Sequence, residues 1–260
     1  GSTLRAVEAV PAYVRMKAPD WTFAPEDLER AATPRTKGIM VNTPANPSGK
    51  VFTREELEWI AAFAVKHDLF VFTDEIYEHI TYDGRRHVSP ASLPSLAPRT
   101  ITISGVSKTF SITGWRIGWS VSDAKWARMI GYMSDLVYVC APAPLQWGVA
   151  KALDGLASSH YEGLRDELAV KREKICAALT KGGLTPCVPQ GAYYVLADIS
   201  KLPGATGKER AMGLLKTKGV ACVPGEAFYR DGKEGAQLAR FCFAIPADEL
   251  EEACRRISAL

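Results

Sequence analysis

The segment Ser104-Gly105-Val106-Ser107-Lys108-Thr109-Phe110 is followed closely by Gly114-Trp115-Arg116-Ile117-Gly118. An apolar, β-like run at residues 100–103 precedes it, so Lys108 is predicted to lie in a loop just beyond a strand. Small residues surround the lysine, and Arg116 follows eight positions later. Because an amine can bond to an aldehyde and a guanidinium can bind an anion, the segment indicates a site for a ligand that carries both groups.

Alternating strands and helices are predicted in the first 150 residues. Apolar runs at 39–42, 69–73 and 100–103 predict buried strands. Between the first two runs, Thr53 and Glu56 fit a capping box, which begins a helix. Strand, helix and strand in this order predict right-handed crossovers and a largely parallel sheet.

A fourth strand and a second region complete the predicted organisation. A strand over 116–122 follows a loop too short for a crossover helix, so we expect it to run antiparallel. After Pro142 and Pro144 a long helical stretch runs to Lys181, and Gly182-Gly183 ends it. Beyond this stretch we expect strands at 192–199, 220–223 and 239–245, and helices near 208–218 and 247–258.

The predicted fold class is α/β with two domains. We assign residues 1–150 to a large domain, whose sheet is mostly parallel with one antiparallel strand. Residues 151–260 form a smaller α+β C-terminal domain, which the long helical stretch links to the first.

Composition narrows the classes of partner. Apolar residues make up 47% and charged residues 23% of the 260 residues, and the net charge of +3 is spread along the chain. This balance is typical of a soluble globular protein and gives little support to nucleic-acid or membrane-surface binding. No apolar stretch approaches the ~20 residues that cross a bilayer, and the N-terminus lacks the apolar region of a signal peptide. We therefore expect a cytoplasmic protein.

Metal chemistry is not expected either. The six cysteines are scattered singly, and the four histidines form no ligand pattern. Reduced thiols that pack as small apolar side chains are favoured over disulfides or a metal site.

Five polar side chains near the ends of the predicted strands suit one cofactor, pyridoxal phosphate. Asn46, Asp74 and Lys108 each lie just beyond a successive strand, where ligands bind in open α/β sheets. Lys108 would form the Schiff base, and Asp74 would keep the pyridine nitrogen protonated. The Asn46 amide and the Tyr77 hydroxyl would hold the phenolic oxygen, while Arg116 would bind the phosphate.

Each of these residues also has a structural explanation. The sequence around Asn46 suits a turn, Asp74 suits a helix cap, and Tyr77 suits packing. Lys108 alone suits a solvated surface, and Arg116 suits an ion pair. Their combined order and spacing, with 28 positions from Asn46 to Asp74 and 34 more to Lys108, favour the cofactor site.

The chain resembles the class I/II aminotransferases of the fold-type I pyridoxal-phosphate family. The matching motifs are Val41-Asn42-Thr43-Pro44-Ala45-Asn46-Pro47-Ser48-Gly49, Phe72-Thr73-Asp74-Glu75-Ile76-Tyr77, the Lys108 to Gly118 segment, Gly191-Ala192-Tyr193-Tyr194, Val223-Pro224-Gly225 and Arg240-Phe241-Cys242-Phe243-Ala244.

The resemblance implies transfer of an amino group from an L-amino acid to a 2-oxo acid through a Lys108 Schiff base. It implies that Arg240, with Asn46, binds the substrate α-carboxylate, and that the full-length protein is a homodimer. A pyridoxal-phosphate lyase (a C–S lyase, for instance) or a synthase shares every motif and stays open, as does a non-catalytic binding module.

The sequence departs from the family pattern in two ways. Gly105 stands where the family usually carries a serine that helps to hold phosphate, so Ser104, Ser107 or a backbone N–H is expected to replace it. The family also begins well before this chain does, and nothing before Asn46 resembles its phosphate loop. We therefore expect an incomplete large domain, and a fragment that alone binds the cofactor weakly and turns over little.

Overall fold

The computed structural model describes residues 2–260, with side chains from residue 4 onward. Within this range it contains eight strands in two sheets. The strands are β1 (Gly38–Asn42), β2 (Phe70–Asp74), β3 (Thr100–Gly105), β4 (Gly118–Val121), β5 (Thr185–Cys187), β6 (Tyr194–Asp198), β7 (Val223–Pro224) and β8 (Leu238–Cys242).

The helices of the same range are α1 (Ser2–Ala6), α2 (Pro25–Ala31), α3 (Arg54–Lys66), α4 (Ala124–Tyr138), α5 (Ala143–Gly155), α6 (Ser158–Lys181), α7 (Gly207–Lys218), α8 (Gly232–Gly235) and α9 (Ala247–Ile257). Short 3-10 turns lie at Pro90–Ser92, Ala97–Arg99, Thr113–Trp115 and Gly225–Phe228.

The first sheet has the order β1-β2-β3-β4. Strands β1, β2 and β3 are parallel, and β4 pairs antiparallel with β3. The predicted mixed sheet is therefore confirmed. Helix α3 begins as predicted, because Thr53 Oγ1 accepts from Glu56 N at 3.2 Å and Glu56 Oε2 accepts from Thr53 N at 2.9 Å. Its buried face packs on Val41 and Val71 of the sheet.

The second sheet has the order β5-β6-β8-β7 and is antiparallel throughout. Helix α6 and helix α9 pack together and join this sheet in the larger hydrophobic core. The smaller α+β region is thus confirmed as an architecture. The boundary at residue 150 stays a prediction.

Five details beyond residue 122 differ from the sequence-based expectations. The long helical stretch is broken, because Leu156 and Ala157 are extended between α5 and α6. Strand β7 begins at Val223 rather than residue 220, and strand β8 ends at Cys242. Strand β5 and helix α4 were not predicted.

Helix α4 leaves an apolar surface open to solvent. None of its residues is buried, although Trp126 packs edge-on against Phe70 with ring centroids 4.7 Å apart. A cavity of about 450 Å³ lies between this helix and the sheet. Met133 and Leu136 on the helix and Met40 on β1 are more than half exposed. Surfaces of this kind usually contact another segment of protein.

Gly49 fixes how the two sheets approach each other. Its carbonyl oxygen accepts from Gln190 N at 2.9 Å and Gly191 N at 2.8 Å. Its φ is +71°, and a Cβ at this position would overlap Pro189, with the Pro189 Cα 2.8 Å away. A side chain is therefore excluded by both conformation and space.

We expect Gly49→Ala to destabilise the protein more than Gly84→Ala. Both glycines have a φ of +71°, but a Cβ on Gly84 would meet nothing within 4 Å. Gly84→Ala should therefore cost only the left-handed conformation, about 1–2 kcal/mol, while Gly49→Ala adds an overlap of about 1–3 kcal/mol. Urea unfolding of the two variants measures the difference. Equal free energies of unfolding would contradict the close packing at Gly49.

Candidate functional site

The carboxyl ends of β1 and β2 bring Asn46 and Asp74 together. Asp74 is the last residue of β2 and is paired in register with Asn42 at the end of β1. Asn42 Nδ2 donates to the Asp74 carbonyl oxygen at 3.0 Å, and Asn42 Oδ1 accepts from Asn46 N at 2.7 Å. One asparagine side chain therefore anchors the Asn46 turn to the end of the neighbouring strand.

The loop after β3 holds Lys108 and Arg116 through one threonine. Lys108 Nζ donates to Thr113 Oγ1 at 3.4 Å, and the same hydroxyl donates to the Ser107 carbonyl oxygen at 3.0 Å. Arg116 Nη1 donates to the Thr113 carbonyl oxygen at 2.9 Å. The hydroxyl at Thr113 was not singled out from the sequence, although its place between the lysine and the arginine was a usable signal.

The backbone of Arg116 is left-handed, with a φ of 59°. This conformation is uncommon for a residue that carries a side chain. It follows the 3-10 turn Thr113–Trp115 and turns the chain into β4, which pairs Gly118 with Gly105 of β3. Arg116 is thus set at the same sheet edge as Lys108.

The second sheet contributes Arg240. This residue lies on β8 and is half-buried. Its Nη1 donates to Asn46 Oδ1 at 2.9 Å, across 194 positions of sequence. The predicted carboxylate-binding arginine therefore contacts a predicted cofactor-binding residue directly.

The charges of this region are not neutralised by one another. Among residues 4–260, Lys108, Arg116 and Arg240 form no ion pair with a carboxylate, and Asp74 forms none with a base. Asp74 and Arg116 are exposed. Unpaired charges at the edge of the first sheet, together with Arg240 of the second sheet that reaches Asn46 there, are suited to a ligand with charges of its own.

Tyr77 occupies a different environment from the other predicted residues. It is 3% exposed and packs edge-on against Tyr193 and Tyr194, with ring centroids 5.1 and 6.2 Å away. Burial and the neighbouring Tyr193 and Tyr194 hydroxyls raise the pKa of Tyr77 well above its usual value. The hydroxyl therefore keeps its proton at neutral pH. Its contact with a cofactor stays a prediction.

Ser104 does not supply the phosphate-binding hydroxyl that is missing at Gly105. Ser104 is buried and its hydroxyl donates to Glu78 Oε1 at 2.8 Å. A Cβ on Gly105 would lie 3.0 Å from both the Gly118 Cα and the Ile117 carbonyl oxygen, so a serine there would be crowded. Ser107 and the loop backbone remain as predicted phosphate contacts.

Behind Asp74 lies a buried carboxylate that the sequence did not single out. Glu75 is 1% exposed and accepts from Thr73 Oγ1 at 2.6 Å, from Ser89 Oγ at 2.9 Å and from His87 Nε2 at 2.6 Å. Burial acts to raise the pKa of Glu75, but these hydrogen bonds hold it below its usual value. Glu75 is therefore ionised and stabilises the end of β2 from the side opposite to Asp74.

The comparisons with known proteins agree with the resemblance of the sequence motifs. Residues 2–257 match the family described as aminotransferase class I and II. The chain belongs to this family. It is 36% identical to kynurenine–oxoglutarate transaminase 3 of Rattus norvegicus, over 96% of this chain and 61% of the relative. It is 37% identical to aromatic-amino-acid aminotransferase 2 of Thermococcus litoralis, over 95% of this chain and 62% of the relative.

Solved structures agree with the sequence relatives. N-succinyldiaminopimelate aminotransferase from Mycobacterium tuberculosis superposes with a TM-score of 0.91 at 35% identity, over 98% of this chain and 67% of that one. Aspartate aminotransferase from Thermus thermophilus with maleate gives a TM-score of 0.88 at 32% identity, over 98% and 65%. The chain spans about three-fifths of the length of the curated relatives it matches.

Between residues 2 and 260, no group of three or more His, Cys, Asp or Glu side chains is arranged to hold a metal ion. In the same range no helix combines the length and apolarity that crossing a membrane requires.

We expect Glu75→Gln to lower the free energy of unfolding at pH 7 by about 1.5–3 kcal/mol, the range for hydrogen bonds to a charged group. The pKa of Glu75 in the folded state is lower than its ordinary value of 4.5. The stability that the ionised Glu75 contributes is therefore complete above pH 4.5 and is lost as the pH falls through the folded pKa. The difference in free energy of unfolding between the unaltered protein and Glu75→Gln should therefore become smaller below about pH 4.5.

Urea unfolding at a series of pH values measures this gap. Glu58→Gln is the control, because Glu58 is an exposed carboxylate on α3. A gap that stayed constant with pH, or an equal loss in the control, would show that Glu75 is not held as an anion.

Proposed function

We propose that this chain carries the lysine-bearing part of a pyridoxal-phosphate-dependent aminotransferase, which moves an amino group from an L-amino acid to a 2-oxo acid. The observation that carries the proposal is a set of unneutralised charges: Lys108, Arg116 and Asp74 at the edge of the first sheet, and Arg240 of the second sheet, which donates to Asn46 at that edge. Family membership supports the reaction type.

The residues present fit the cofactor by charge. Arg116 would bind the phosphate, since its guanidinium has one carbonyl partner and no acid within ion-pair distance among residues 4–260. Asp74 would face the pyridine nitrogen, and an anion there favours the protonated ring. Asn46 and Tyr77 would donate to the phenolic oxygen. When bound, the cofactor supplies an electron sink for charge that develops at the substrate Cα.

The remaining steps belong to side chains of this chain. Lys108 Nζ is the amine that would bond to the aldehyde carbon, and Thr113 Oγ1 orients it. Once a substrate amine replaces it, the freed Lys108 amine can remove the proton from the substrate Cα. Arg240 would bind the α-carboxylate, and its hydrogen bond to Asn46 would hold it close to a residue that would bind the cofactor.

Amino transfer is favoured over the lyase and synthase alternatives. The relatives and structures reported above are named transaminases or aminotransferases, for kynurenine, aromatic amino acids, N-succinyldiaminopimelate and aspartate. These names differ in substrate, so we propose no preference for a particular amino-acid side chain. A cytoplasmic homodimer is proposed from the same membership, and the exposed apolar surface of α4 supports a protein contact.

We expect pyridoxal phosphate followed by borohydride reduction to label Lys108 in preference to other lysines. The site supplies an anion-binding arginine beside this amine, which raises the local concentration of the aldehyde. Peptide mass spectrometry measures the labelled fraction. Lys108→Arg should lose the label, and Lys125→Arg, at an exposed lysine outside the site, should retain it. Uniform labelling of the lysines would contradict the proposal.

We expect the cofactor-loaded enzyme to transfer an amino group to 2-oxoglutarate both from an aromatic amino acid and from an amino acid that carries a leaving group at Cβ, and to form product amino acid faster than ammonia in both cases. The reason is that Lys108 would move the proton taken from the substrate Cα to the cofactor carbon, so that the amine stays with the cofactor, whereas elimination expels a leaving group from Cβ. Product amino acid and ammonia are measured together. Ammonia formed in step with a 2-oxo acid would favour the lyase instead.

A further inference from the structure

Arg240 is held between two aromatic rings. Its guanidinium carbon lies 4.3 Å from the centroid of the Tyr194 ring and 4.9 Å from the centroid of the Phe228 ring. Its Nε is buried and has no hydrogen-bond acceptor among residues 4–260. The buried part of the Arg240 guanidinium is therefore stabilised by its contacts with the two rings.

Strand register places Tyr194 beside the arginine. In the pairing of β6 with β8, Tyr194 lies opposite Cys242 and Leu196 lies opposite Arg240. Paired residues point to the same face of a sheet, and diagonal neighbours are within reach when one is aromatic and the other is long. Tyr194 and Arg240 are such a diagonal pair.

A tight turn places Phe228 on the other side. Phe228 ends the 3-10 turn that follows β7 and begins at Gly225. A Cβ on Gly225 would lie 2.8 Å from the Leu238 carbonyl oxygen and would overlap Gly235. The turn can therefore pack closely on β8. Its acidic residue, Glu226, faces away and accepts from Gly207 N at 2.8 Å.

Arg172 shows what a structural arginine looks like in the same protein. Its guanidinium also stacks on a tyrosine, with its carbon 4.6 Å from the Tyr82 ring centroid. It is, however, neutralised by Asp83, which accepts two hydrogen bonds at 2.7 and 2.8 Å. Arg240 has the rings and the Asn46 amide oxygen but no carboxylate, so its charge remains available.

We infer that Tyr194 and Phe228 are positioning residues that hold Arg240 in place without neutralising it and so determine how tightly a substrate carboxylate binds. The inference rests on the proposed function. Aromatic faces attract a guanidinium through the ring quadrupole, yet they supply no oxygen that would compete with a carboxylate for its N–H groups. An acidic residue in either position would hold the arginine equally well but would occupy those groups.

The test measures binding of a carboxylate and of its uncharged counterpart. Ligand-observed NMR would follow 3-phenylpropanoate and 3-phenylpropanamide with the chain as it stands and with the variants Tyr194→Leu and Phe228→Leu. We expect each leucine variant to weaken the acid roughly three- to tenfold, the scale of one cation–π contact. Binding of the amide should not change, because it does not depend on the charge of Arg240.

Conservative variants separate the rings from the packing. Tyr194→Phe and Phe228→Tyr keep an aromatic face and should restore acid binding to within about twofold of the unaltered chain. Thermal unfolding checks that the variants fold. Equal loss of acid and amide binding in the leucine variants would reduce the rings to a structural role and overturn the inference.

The last part of the test replaces Arg240 itself. If Arg240→Gln removes the preference for the acid while the leucine variants retain it, Arg240 acts without the rings and the inference is wrong. If Arg240→Gln keeps the preference, Arg240 is not the carboxylate ligand and the inference is also wrong. Failure of the aminotransferase proposal is distinct from both results, since it appears as a lack of preferential label on Lys108.

Discussion

Parallel pairing of β1, β2 and β3 is the constraint on which the rest of the site depends. It brings three strand ends to one edge, so that Asn46, Asp74 and Lys108 become neighbours despite the 62 positions between the first and the last. The hydrogen bonds of Asn42 to Asp74 and Asn46 then fix the first two of these residues relative to each other. The antiparallel return of β4 places Arg116 at the same edge.

Charge pairing elsewhere in the protein makes this edge distinctive. Buried Lys50 is paired with Glu56 at 2.7 Å, and buried Arg172 is paired with Asp83. Burying a charge without a partner is costly, so ordinary structural charges are compensated in this way. Arg240 is instead held by an amide oxygen and two aromatic rings. The protein thus stabilises this cation while leaving it able to bind an anion.

Strong local patterns were enough to predict much of the fold. The capping box at Thr53 and the apolar runs of β1, β2 and β3 specify their elements locally. Weaker patterns failed. Strand β5 has three residues, one of them a proline, and no usable periodicity. The extended pair Leu156 and Ala157 is exposed and lies between Gly155 and Ser158, so the break follows a local drop in helix propensity that the prediction passed over.

The sequence by itself determined the fold class, the parallel and antiparallel character of the first four strands and the identity of the residues that lie beyond their ends. These follow from local periodicity, from turn chemistry and from the handedness of crossovers. The tertiary structure alone decided which partners the charges have. Tyr77 packs on two tyrosines, Ser104 donates to Glu78, and Arg240 lies between two rings. Each of these contacts joins residues that are separated in the sequence. Such contacts depend on side-chain packing between elements, which one-dimensional spacing does not encode.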